Sequence, residues 1–132
     1  AIGHGYTYSG HPVGCAAALA TLDVTFSQDL PGNALARGEQ LMASLKALQA
    51  EHHMIGDVRG KGLMVGIELV ADRESKMPLD PQLGEALADR VFAAGAMIRV
   101  SGNIIIMSPP LVITESEIDS LAQALSVGFA GA

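Results

Sequence analysis

Tryptophan is absent, and cysteine occurs once, at Cys15. A lone cysteine excludes an intrachain disulfide framework and any multi-cysteine metal site, which favours an intracellular, cytoplasmic protein. Cys15 sits in an alanine-rich helical pattern. There it reads as a buried small hydrophobe, since a reactive thiolate needs a neighbouring base and electropositive surroundings. Positive charge is also scarce, with eight Lys and Arg against fourteen Asp and Glu. The cations are scattered rather than clustered, so no nucleic-acid partner is expected. No apolar run approaches the ~20 residues that cross a bilayer. The first residues lack a basic stretch followed by an apolar core, so neither a membrane span nor a signal peptide is expected. The chain does not open with Met, which suggests a piece of something longer. Internal repeats and low-complexity tracts are missing as well.

What is present is apolar and aliphatic. Of 132 residues, 49% are hydrophobic, and mean hydropathy is +0.34. That suffices for a folded domain with its own core. Residues 1–11 form a glycine-rich loop, and Pro12 suits the first turn of a helix. Leu19, Leu22, Phe26 and Leu30 then share one helical face. "PGN" at 31–33 breaks that helix, and Asn33 can cap a second one carrying Leu35, Leu41, Met42, Leu45 and Leu48. "IGDVRGKG" reads as a turn-rich approach to a strand. "LMVGIELV" alternates with period two and is that strand. "ADRESKMPLDPQ" reads as a polar surface loop. Leu83, Leu87 and Val91 mark a third helix, with Gly95 closing it. "AMIRV" and "NIIIMS" flank "SGN" as a hairpin, ended by "PP". Thr114 and Glu117 form a capping box before a last helix with Ile118, Leu121, Leu125 and Phe129 inward. The sum is an α/β sandwich of two layers, four helices against three or four strands.

Few groups suggest chemistry. Gly60, Gly62 and Gly66 lack the dinucleotide-binding spacing and precede a strand rather than a helix. His52 and His53 are adjacent at a helix end and point about 100° apart, so they do not share a metal. His4 and His11 flank the opening loop without a carboxylate at ligand spacing, and no metal site is expected. Two features remain open. "GHGYTYSGHP" sets glycines and hydroxyls before a helix N-terminus, a recipe for holding phosphate or an ordinary capping loop. Arg99 lies in a short apolar strand. It is either a snorkelling edge residue or a two-pronged carboxylate clamp.

Three stretches together, "HGYTYSGHPVGCAAALA", "DVRGKGLMVGIELV" and "GAMIRVSGNIIIMSPPLVIT", resemble the C-terminal portion of class III pyridoxal-phosphate-dependent aminotransferases. They look most like the omega-amino acid–pyruvate transaminases. The resemblance implies a fold type I aminotransferase. Residues 1–30 would be the phosphate-contacting loop and connecting helix at the large-domain edge. Residues 31–132 would be the small C-terminal α/β domain, with helices on a mainly antiparallel sheet. It implies that Tyr6 and Thr7 contact the phosphate of pyridoxal 5'-phosphate across a homodimer interface, Thr7 also through its hydroxyl. It implies that Arg99 receives the substrate carboxylate, and that the flexible "SGN" lets it swing aside for amines without one. In the family, the lysine that joins the cofactor as a Schiff base lies upstream of the phosphate loop. Lys46, Lys61 and Lys76 do not match it, so no catalytic residue is assigned here. The implied activity is transfer of an amino group from a small amine or omega-amino acid to a keto acid such as pyruvate. An aminomutase or decarboxylase of the same family, or a non-catalytic α/β binding module, are the alternatives.

Overall fold

The computed structural model describes residues 3–131. The first two residues of the expected opening loop, and the last residue of the expected 31–132 unit, lie outside the described residues.

Helix α1 spans Pro12–Ser27, and helix α2 spans Leu30–Glu51. The break falls at Gln28–Asp29, not at "PGN". Asp29 turns left-handed at φ 47° and accepts a hydrogen bond from the Gly32 N–H. Pro31 then occupies the first turn of α2, where its missing N–H costs nothing. Asn33 is therefore not a cap. Its side-chain amide donates to the carbonyls of Leu111 (2.8 Å) and Ile113 (3.0 Å).

"IGDVRGKG", expected as a turn-rich approach to a strand, is mostly strand itself. β1 covers Ile55–Lys61 and pairs antiparallel with β2, Met64–Asp72. Gly60 permits this pairing, because a Cβ there would lie 2.3 Å from the Met64 carbonyl oxygen. The polar loop is also more structured than expected. It holds a two-residue strand β3, Met77–Pro78, paired with β2, and it buries Leu79. Helix α3 follows at Pro81–Ala93, capped by Asp80. The expected hairpin is present as β4 (Arg99–Ser101) and β5 (Ile104–Met107), with Gly102 at φ 61° in its turn. The capping box at Thr114 and Glu117 starts α4, Glu115–Ala130.

The sheet runs β1-β2-β5-β4 with β3 beside β2, antiparallel throughout. Alternation divides it into two faces. The row Val58–Ile67–Ile105–Val100 points into the core, where Leu41 and Leu45 of α2, Leu87 and Val91 of α3, and Ile118, Leu125 and Phe129 of α4 meet it. The row Arg59–Gly66–Ile106–Arg99 points the other way. This is the expected two-layer α/β fold. Three expected stripes are not buried as a whole. Leu35 and Leu83 are exposed, and so are Leu19 (69%), Leu22 (50%) and Phe26 (74%) of α1. Cys15, expected inside, is exposed too, because α1 buries none of its residues.

Candidate functional site

The opening loop folds on itself. The Ser9 N–H donates to the Tyr6 carbonyl at 2.9 Å, and the Tyr6 N–H donates to Ser9 Oγ at 3.2 Å. The Tyr6 hydroxyl lies 3.0 Å from His4 Nε2, with the two rings edge to face. Gly10, at φ 74°, turns the chain into α1. Among the described residues, neither the Thr7 N–H nor its hydroxyl has a hydrogen-bond partner. His11 caps α1 without a side-chain hydrogen bond, so the first free N–H groups of the helix stay unanswered. No carboxylate occurs between residues 3 and 22. The result is an exposed cluster of donors at the positive end of a helix. These residues fit the phosphate end of pyridoxal phosphate. Nothing in the loop fits its aldehyde end, since the first lysine is Lys46, which donates to Gln49 in mid-α2.

Arg99 lies elsewhere, at the start of β4. It lines a cavity of ≈ 700 Å³ whose other walls are almost wholly apolar, among them Met97, Ile98, Ile106, Pro109, Pro110 and Leu121. Arg99 is exposed, and among the described residues it makes no ion pair or hydrogen bond. Its fellow arginines are committed. Arg59 binds Asp57 (2.9 Å) and Glu68 (2.7 Å), and Arg37 binds Glu115 (3.1 Å). Arg90 donates to the Gly128 carbonyl, and Arg73 closes the C-terminus of α2 through the carbonyls of Gln49, His52 and His53. The Arg59 hydrogen bond, first among the causes, holds Asp57 below the usual carboxylate range.

The structure does not bring the two candidate groups together. No loop residue lines the Arg99 cavity, and the loop hydrogen bonds stay within its own few residues or reach the start of α1. The sequence reading missed "SPP", residues 108–110, as a wall. These residues separate the Arg99 cavity from a second apolar one of ≈ 610 Å³ that Lys61, Leu63 and Met64 share with Leu35. The signal was the double proline, which ends a strand and leaves its ring faces exposed to whatever lies alongside. Among the described residues, no group of three or more His, Cys, Asp or Glu is placed to hold a metal, and no helix is long and apolar enough to cross a membrane.

Comparison with known proteins gives consistent matches. The family model described as aminotransferase class-III matches residues 1–128. An amine transaminase from an uncultivated Pseudomonas species, solved with pyridoxal phosphate bound, superposes with a TM-score of 0.93 at 48% identity, covering 98% of this chain and 30% of that one. The uncharacterized aminotransferase y4uB of Sinorhizobium fredii is 47% identical over 127 residues, which are 92% of this chain and 27% of that protein. A taurine–pyruvate aminotransferase of Bilophila wadsworthia is 36% identical over 130 residues, 93% of this chain and 28% of that protein. The chain spans less than a third of the length of these relatives.

Proposed function

Since this chain belongs to the class-III aminotransferases, whose cofactor is pyridoxal phosphate, we propose that it serves a transaminase in recognition rather than in covalent chemistry. The parent enzyme moves an amino group from an amine or omega-amino acid to a keto acid such as pyruvate. Its relatives named for amines and for taurine and pyruvate support that substrate range.

When bound, pyridoxal phosphate supplies the electron sink that makes the carbon bearing the amine acidic. This chain's residues hold and orient. Thr7 would hold phosphate oxygens through its free N–H and hydroxyl, aided by the uncapped end of α1. Tyr6 would join it by giving up the Ser9 contact it makes here. Among the described residues, the loop makes no hydrogen bond to the α/β body, which suits a segment lent to the active site of a second subunit in a homodimer. Arg99 would hold the substrate carboxylate with two parallel hydrogen bonds. The lysine that takes and returns the proton would come from outside these 132 residues, because none of Lys46, Lys61 and Lys76 lines the Arg99 cavity or hydrogen-bonds the loop. Residues 1–30 and 31–132 thus divide the work into cofactor holding and substrate recognition, in a cytoplasmic enzyme.

The observation that carries this reading is Arg99, a guanidinium without a partner among the described residues, on the wall of an apolar cavity. A charge-assisted hydrogen bond contributes roughly 1.5–3 kcal/mol, or about ten- to a hundredfold in affinity. In the parent enzyme, Arg99→Ala is expected to slow the pyruvate half-reaction by that factor and to spare the half-reaction of an arylalkyl amine. Single-turnover kinetics of each half-reaction checks this. Equal losses for both would remove the clamp assignment.

A further inference from the structure

The wall between the two apolar cavities has little of its own to hold it in place. Pro109 and Pro110 carry no N–H to donate, and a strand that ends on two prolines does not continue its ladder. Among the described residues, the backbone of residues 109–113 makes one hydrogen bond, from the Ile113 N–H to the Pro110 carbonyl (2.9 Å). Burial adds only part of an anchor. Ile113 packs against the core, but Leu111 (47%) and Val112 (57%) are exposed.

The remaining support is one side chain. Asn33, in the first turns of α2, donates to the Leu111 carbonyl and to the Ile113 carbonyl. A side-chain amide has two N–H donors, and both are spent on the wall. The same face of α2 goes on to grip α4, since Arg37 and Gln40 follow Asn33 at i+4 and i+7. Arg37 pairs with Glu115, and Gln40 donates to the Glu115 carbonyl (3.1 Å) and to Asp119 (2.7 Å). These two tie helix to helix, and neither they nor their partners line the Arg99 cavity. Asn33 instead ties α2 to the stretch whose Pro109, Pro110 and Ile113 do line it.

Resting on the reading of this cavity as the place where Arg99 holds the substrate carboxylate, we propose that Asn33 is a positioning residue for it. Its amide fixes where the proline wall stands relative to Arg99. That sets the fit of a substrate bearing its carboxylate on an aliphatic chain, such as an omega-amino acid. The proline rings offer apolar surface to the methylenes, while Arg99 answers the charge. Without the two hydrogen bonds the wall shifts, and chain and carboxylate no longer fit together.

Steady-state kinetics of the full-length parent enzyme with an omega-amino acid as donor tests this. Asn33→Asp and Asn33→Leu both remove the donors, an ionised carboxylate being an acceptor only. Each is expected to raise KM for the omega-amino acid about three- to tenfold, the scale of a lost neutral hydrogen bond, with kcat held within about twofold. Gln40→Leu, which breaks the same α2 seam at the helix pair, should lower the midpoint of thermal unfolding and leave that KM unchanged. In an Arg99→Ala background Asn33→Leu should no longer raise KM, whereas a residue that merely holds the fold acts alike in both backgrounds. Suppose that Arg99→Ala discriminates the substrates, but the Asn33 variants leave KM in place, raise it equally without Arg99, or are matched by Gln40→Leu. The positioning role is then overturned and the clamp stands. Failure of both Asn33 variants to give folded enzyme overturns it too, making Asn33 a residue of the fold alone. If Arg99→Ala itself fails to discriminate, the clamp falls, and the positioning role with it.

Discussion

Residues 3–29 and residues 30–131 are built by different means. Every described buried residue lies at or after Leu30. In the later region, helices exist because a stripe on each is held against the sheet, and α4 is capped by reciprocal hydrogen bonds. In the earlier region, α1 is helical through alanine propensity and Pro12 at its start, with an uncapped end and no buried side chain. The glycines tell the same story. A Cβ on Gly3, Gly5, Gly10 or Gly14 would meet nothing within 4 Å, whereas one on Gly38 or Gly128 would strike a neighbour at 2.3 or 2.4 Å. The body stabilises itself, and the opening region presents groups to something else. Tyr6 and Thr7, proposed to hold phosphate, lie in the second kind of region, and Arg99, proposed to hold the substrate carboxylate, lies in the first.

The contrast can be broken most directly with paired core and α1 substitutions in this chain. Leu41 is fully buried, and Leu41→Ala is expected to cost about 2–5 kcal/mol. Leu19 belongs to an equally apolar stripe, yet Leu19→Ala should stay within about 0.5 kcal/mol. Urea unfolding of both measures the gap, and similar losses would mean that α1 is packed on the body after all. A smaller effect separates two glycines. Gly38→Ala forces a methyl against the Gly62 backbone, at about 1–3 kcal/mol, despite alanine's better helix propensity. Gly14→Ala should leave the midpoint of thermal unfolding in place.

The smallest effects concern caps and acid. Thr114→Ala removes the α4 cap, at about 1 kcal/mol. The Thr114 N–H, and then its hydroxyl, hold the Glu117 carboxyl below its ordinary range. A carboxylate with a depressed native pKa stabilises the fold above its unfolded pKa. That contribution is lost as pH falls through the native value. Asp57, lowered by Arg59, acts in the same sense. Stability should therefore fall with acid below the ordinary carboxylate range, and less steeply in Thr114→Ala. An identical acid profile for the variant would place the dependence elsewhere.

Much of the body was legible because local and tertiary signals agreed there. Period-two alternation, "SGN" and the capping box each point to what the packing also favours. β1 was missed because two glycines mimic a turn, while one of them serves a close strand approach. The helix break was misplaced because "PGN" looks like a stop, yet proline in a first turn is a start, and the left-handed residue is Asp29. The α1 stripe was legible as a pattern, but a pattern does not say which surface covers it. Arg99 was visible as an odd residue in an apolar strand. Its lack of a partner among the described residues, and the register that sets it in one row with Ile106, Gly66 and Arg59, depend on strand pairing that no local spacing reveals.

The central claim is that these 132 residues recognise cofactor and substrate without bonding to the cofactor. Borohydride trapping of the chain with pyridoxal phosphate, followed by mass measurement of the peptides, tests it most directly. The account predicts scattered, substoichiometric labelling of Lys46, Lys61 and Lys76. One adduct per chain on a single lysine would contradict it.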